Sequence, residues 1–164
     1  MKFDDKSLVV VAPNEVYDSE KFHWPKVFIA GGITNCPDWQ SDFLKRLELF
    51  TTKYIAYNPR RSSFNIEDED IADEQITWEF KHLKESDIIC FWFSKGSINP
   101  IVLYELGMWC NSKENPKCVI GIDPEYERTE DVIVQTRLAQ GDNVKIVHTI
   151  ESLALETSQM IEEY

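Results

Sequence analysis

The sequence predicts an α/β protein, a three-layer α/β/α sandwich built on a mostly parallel sheet. Three observations carry this. Six short runs are apolar at nearly every residue, as strands covered on both faces must be. Helix-length segments alternate with them, the pattern of parallel strands joined by crossover helices. Finally, 164 residues with 43% hydrophobic side chains suffice for one sizeable core and are too few for two ordinary domains. A single domain over 1–164 is therefore expected.

The first run, Leu8 to Ala12, and the second, Val27 to Ala30, precede a helix expected over Asp38 to Phe50. Asp38 suits its N-cap, because a short carboxylate accepts from free first-turn N–H groups. Phe43, Leu44, Leu47 and Phe50 then recur at helical spacing, giving one buried face. A third strand, Tyr54 to Tyr57, leads to a helix over Ile71 to Glu85, with the acidic run Glu67 to Asp70 read as a solvated loop. The fourth strand, Ile88 to Phe93, precedes a helix over Pro100 to Asn111. Asn99-Pro100 reads as N-cap and first helical position, where proline's missing N–H costs nothing. Strands at Val119 to Ile122 and Val144 to Val147 alternate with helices at Thr129 to Ala139 and Ile150 to Glu162. The whole reads as a Rossmann- or flavodoxin-like sheet.

Composition excludes several functions. A formal charge of -12 disfavours a nucleic-acid partner, since neutralising phosphates takes clustered Lys and Arg. No apolar run approaches the roughly 20 residues that span a bilayer, and the segment from Met1 leads into a strand too short for a signal sequence. A cytosolic protein with no membrane partner is expected. Cys36, Cys90, Cys110 and Cys118 form no CxxC pair and read as free thiols, three of them buried, with Cys36 in a polar loop. His23, His82 and His148 lack metal-ligand spacing, so no metal is expected.

In open parallel sheets ligands bind beyond the carboxyl ends of the strands. After the second strand stands Gly31-Gly32-Ile33-Thr34-Asn35, where glycines permit either close ligand approach or a plain tight turn. Neither GxGxxG nor GxxxxGK[ST] is present. After the third strand, Asn58-Pro59-Arg60-Arg61-Ser62-Ser63 offers guanidiniums and hydroxyls for a phosphate, or for surface carboxylates. Glu79, in the second helix, taken alone reads as a solvated helix charge paired with Lys81 or Lys84. Glu105 lies in a strongly apolar helix, where an unpaired carboxylate is costly to bury, and such residues are more often functional than structural. The aromatics Phe91, Trp92, Phe93 and Trp109 read as core, whereas Trp39 and Trp78 are candidates to stack on a planar ligand.

Taken together, Phe28-Ile29-Ala30-Gly31-Gly32, Asn58-Pro59-Arg60, Trp78-Glu79 with Ser86-Asp87, and Tyr104-Glu105-Leu106-Gly107 resemble the nucleoside 2-deoxyribosyltransferase family, in particular its short, divergent branch. The tail Ile122-Asp123-Pro124-Glu125-Tyr126 with Asp131-Val132 and Gln135 fits the same pattern. The resemblance implies N-glycosidic bond cleavage with (deoxy)ribosyl transfer between nucleobases. It makes Glu105 the nucleophile, gives Glu79 proton handling or base recognition, and leaves Asp87 to stabilise a turn. Where transferring relatives carry an aspartate, this chain has Asn99, which cannot act as an acid. The implied partners are a small-molecule nucleoside or nucleotide, a free nucleobase and a second copy of the chain, with Asp131 in the region that reaches a neighbouring subunit. The chemistry needs no cofactor, because a carboxylate can both stabilise and capture the developing sugar cation. Two alternatives stand beside it: hydrolysis of a nucleoside 5'-monophosphate with Arg60 and Arg61 on the phosphate, and a non-catalytic nucleotide-binding domain.

Overall fold

The computed structural model describes residues 6–16, 21, 23–62, 69–111 and 116–164. Six strands form one sheet: β1 (Leu8–Val11), β2 (Lys26–Gly31), β3 (Ile55–Asn58), β4 (Ile88–Phe93), β5 (Lys117–Ile122) and β6 (Lys145–Val147). Their spatial order is β1-β3-β2-β4-β5-β6, and every pairing is parallel. Setting aside the edge strand β1, the order is that of a flavodoxin-like sheet, with its reversal between β2 and β4. Five helices join the strands: α1 (Trp39–Phe50), α2 (Glu69–Glu85), α3 (Pro100–Trp109), α4 (Thr129–Gln140) and α5 (Ile150–Glu162).

The period-two alternation of strand side chains divides the core into two layers. Val27, Ile29, Ile88, Cys90 and Trp92 face α1 and α5, meeting Phe43, Leu47, Leu153 and Ile161. Phe28, Ala30, Ile89, Phe91 and Phe93 face the other way, onto Trp78 and Leu83 of α2, Val102 of α3 and Val132 of α4. Every residue of β4 is buried, which explains why it reads as a continuous apolar run.

Caps set several boundaries. Asp38 Oδ1 accepts from Ser41 N at 3.2 Å, and Thr149 Oγ1 accepts from Ser152 N at 3.0 Å. Asp87 stabilises a turn as expected, accepting from Lys26 N at 2.8 Å and from the Tyr164 hydroxyl at 2.9 Å. Trp78 is core, its indole N–H donating to Asn14 O at 2.7 Å.

Three sequence expectations are corrected. Cys110 and Cys118 are joined as a disulfide, leaving only Cys36 and Cys90 free among the described residues; the eight-residue separation gave no pairing motif, and only the fold brings the end of α3 beside β5. Asn99 is the N-cap of α3 and Pro100 its first residue, as expected, but the Asn99 side chain makes no cap bond, which corrects that part of the expectation. The residue sits in the left-handed region with φ of 52°, so its amide turns back on its own loop. Glu69 and Asp70 belong to α2 rather than to a loop, because carboxylates are favourable in a first turn. Ser63, Glu67 and Asp68 lie outside the described residues.

Candidate functional site

A cavity of about 520 Å³ opens beyond the carboxyl ends of β2 and β4, at the reversal of strand order. That size lies within the range of small-molecule sites. Its walls come from Gly31–Thr34 after β2, Pro59 and Arg61 after β3, one face of α2, and the start of α3. Apolar side chains dominate, including Phe28, Ile33, Ile76, Ile101 and Val102, and two carboxyls, Glu79 and Glu105, stand among them.

Glu105 is placed by helix geometry. The residue lies one turn past Ile101 and Val102, so its carboxyl shares their cavity-facing side. It is 9% exposed, and no hydrogen bond or ion pair holds it among the described residues. Burial pushes its pKa up to about 8, and the neighbouring charge of Glu79 adds to the shift. Glu79 is raised too, because burial outweighs the amide hydrogen bond it receives from Gln75. Near neutral pH the site therefore keeps a proton, because the charge of Glu79 opposes the ionisation of Glu105.

Gln75, absent from the sequence reading's site residues, orients Glu79. Its Nε2 donates to Glu79 Oε1 and to Pro59 O, both at 2.8 Å. The i,i+4 spacing of Gln75 and Glu79 is the signal that could have revealed it. Thr34, in the glycine loop the sequence singles out, also lines the cavity with Ser97, Ile76 and Ile101.

The remaining sequence candidates divide. Gly31, Gly32, Ile33, Arg61 and Asn99 reach the cavity with the two glutamates, whereas Trp39, Asn58, Arg60 and Asp131 do not line it. The two glycines are demanded by packing: a Cβ on Gly31 would overlap the Trp39 ring, and one on Gly32 would overlap Asn99 Oδ1 and Cys36 Sγ. Trp39 is buried and donates to Gly32 O at 3.1 Å, so it supports the loop from beneath. Arg60 is a clasp on that loop, donating to Ile33 O at 3.0 Å, Cys36 O at 2.8 Å and Pro37 O at 3.2 Å. Asn58 Oδ1 accepts from Arg60 N at 3.0 Å. Asn99 Nδ2 donates to Ser94 O and Ser97 O, and its Oδ1 accepts from Cys36 Sγ at 3.6 Å; it braces the start of α3 against the glycine loop. Arg61 pairs with Glu74, and Asp131 pairs on the surface with Arg128.

No helix among the described residues is long and apolar enough to cross a membrane, and none of their His, Cys, Asp and Glu side chains form a group of three or more suited to a metal ion. Among curated proteins, none matches the chain. A crystal structure of a conserved protein from Enterococcus faecalis V583 superimposes with a TM-score of 0.56 at 14% identity, covering 84% of this chain and 99% of that one, and shares its fold. An NAD(P)H:quinone oxidoreductase from Methanothermobacter marburgensis aligns at a TM-score of 0.38 with 13% identity, over 84% of this chain and 96% of that one, too loosely to bear on function. Residues 24–126, which run from the approach to β2 through the glycine loop, Glu79 and Glu105 to Tyr126, match the family described as nucleoside 2-deoxyribosyltransferase like, and the chain belongs to that family.

Proposed function

We propose that this protein cleaves the N-glycosidic bond of a nucleoside and transfers its sugar to a second nucleobase, with Glu105 as nucleophile. The observation that carries this is the unpaired carboxyl of Glu105, buried beside Glu79 in a largely apolar cavity. Burying such a group without a cation is costly, and the reaction supplies the missing partner: departure of the base builds positive charge on the sugar ring. A Glu105 oxygen then bonds to C1' while the C1'–N bond breaks, its electron pair leaving with the base. The proton held by the pair goes to the departing base from Glu79, which Gln75 keeps in place. In the second step a nitrogen of the acceptor base bonds to C1', its proton passes to the Glu79 carboxylate, and the ester bond to Glu105 breaks to restore the carboxylate there. The largely apolar walls suit a planar base, which favours transfer to a second base over hydrolysis.

One observation favours hydrolysis of a nucleoside 5'-monophosphate as a second reading. Arg61 lines the cavity, and its partner Glu74 is more than half exposed, so a phosphate could replace that carboxylate on the guanidinium. Assembly with a second copy of the chain is supported by exposed apolar side chains beside the cavity, Ile76, Phe80, Ile101 and Tyr104, on α2 and α3.

Base release from deoxynucleosides, ribonucleosides and their 5'-monophosphates, assayed by chromatography with and without a second free base, tests both readings. Exchange into a new nucleoside is expected. Release of base and sugar without exchange would establish a hydrolase, and silence across the panel would leave a binding domain. Glu105→Gln should abolish base release while the variant stays folded; turnover retained in that variant would remove the nucleophile assignment.

A further inference from the structure

α3 carries the proposed nucleophile and packs on the core through Val102 and the partly buried Leu103, Leu106 and Trp109. It has 10 residues, of which only Val102 and Glu105 are buried. Helices this short are marginal on their own, and Gly107 lies in its interior, where glycine weakens a helix more than any residue but proline. Its N-cap residue, Asn99, makes no side-chain bond to the helix. Bonds at its two ends add to that packing. At the first, Tyr126 Oη donates to Ile98 O at 2.7 Å, and the Asn99 amide braces the loop. At the other, Gln140 of α4 donates to Cys110 O, and Cys110 is bonded to Cys118 of β5, with Cα atoms 6.4 Å apart.

We propose that the Cys110–Cys118 disulfide is the tether that fixes the C-terminal end of α3 and thereby positions the Glu105 carboxyl in the cavity. Cys110 and Cys118 are then positioning residues for the reaction proposed above, and the catalytic consequence rests on that reading. Glu105 stands five residues, less than two turns, from the tethered end, so a shift of that end is transmitted to its carboxyl with little attenuation. Both cysteines are buried, 3% and 7% exposed, which shields the bond from dissolved thiols and fits a standing structural tether rather than a rapid switch. A dithiol can still remove it through local opening. Its thiolate attacks one sulfur, the Cys110–Cys118 bond breaks, and the second thiol closes on the mixed disulfide to leave two cysteine thiols and a cyclic disulfide.

The test compares the oxidised protein with its dithiothreitol-reduced form and with Cys110→Ser/Cys118→Ser. The reduced wild type keeps every side chain in place should the variant fold poorly. Thiol counting on the denatured, unreduced chain should find two free thiols, Cys36 and Cys90; four would overturn the proposal. On losing the tether, amide exchange in 101–110 should quicken by about tenfold, with β4 and α5 unchanged. The titration midpoint of Glu105, followed by carbon NMR, should fall from about 8 by about one unit as water reaches the carboxyl, with Glu79 still the charged group beside it. Base release should lose about tenfold in kcat with KM little changed. Exchange that quickens evenly over the whole chain, with the Glu105 midpoint unmoved, would reduce the disulfide to an ordinary staple and overturn the inference. Should the oxidised protein release no base at all, the functional reading fails, while exchange and titration still decide the tether.

Discussion

At the scale of single residues, the proposed reaction turns on one proton held by the pair of Glu79 and Glu105. In that proposal the productive form carries the proton on Glu79, for the leaving base, and the charge on Glu105, for C1'. Losing the last proton, a step that belongs to the pair and lies near 8, removes the acid, so kcat/KM should decline as pH rises through that value. In Glu79→Gln no acid remains and Glu105 loses the charge that helped raise it. Its profile should therefore rise with pH and show no alkaline decline, at a rate lower by about two orders of magnitude. A Glu79→Gln enzyme that keeps the wild-type alkaline limb would dismiss Glu79 from proton transfer. Asn99 takes no part in this exchange, since both of its amide hydrogens are committed to the carbonyls of Ser94 and Ser97.

Among the elements, the loop between β2 and α1 forms the cavity's rim and has no regular structure of its own. Its shape depends on side chains reaching in from elsewhere, above all Arg60, which satisfies three of its carbonyls that would otherwise be left to water. Arg60→Ala should cost about 1–3 kcal/mol of stability and raise KM for nucleosides and nucleotides alike. Steady-state kinetics on a nucleoside and its 5'-monophosphate checks this. A loss confined to the monophosphate would instead return Arg60 to the role of phosphate ligand. The sequence reading caught Arg60 as important from its place after a strand, but a guanidinium near a glycine loop looks the same whether it binds a ligand or the loop itself. Distinguishing them required knowing that Ile33, Cys36 and Pro37 turn their carbonyls toward it.

For the whole molecule, the cavity couples function to stability. Glu105 holds its proton in the folded state up to about 8, whereas the unfolded chain releases it near 4.5. A carboxyl with a raised folded pKa contributes stability that is complete below 4.5 and is lost as pH rises through 8. Glu105→Gln mimics the protonated form at every pH. Its advantage over the wild type should therefore grow from pH 5 to pH 8, by at most about 1.4 kcal/mol per unit, and then level off. Denaturant melts of the two proteins at several pH values check the trend, and an advantage independent of pH would show that Glu105 is solvated in the folded state.

Much of this architecture was legible in the chain. Uniformly apolar runs such as Ile88 to Phe93 announced a doubly covered parallel sheet, because only burial on both faces tolerates them. Alternation with helices fixed the layer order, and Glu105 stood out because an acidic residue in an apolar helix conflicts with local pattern, as functional residues do. Tertiary structure alone decided what depends on long-range approach. It brought Gln75 and Glu79 of α2 to the same cavity as Glu105 of α3, turned Arg60 and Trp39 into supports for the rim, set Asn99 in a left-handed conformation, and paired Cys110 with Cys118. Periodicity is a property of neighbours along the chain and survives in the sequence. Partnership between side chains is a property of distance in space, which the sequence specifies only through the folded whole.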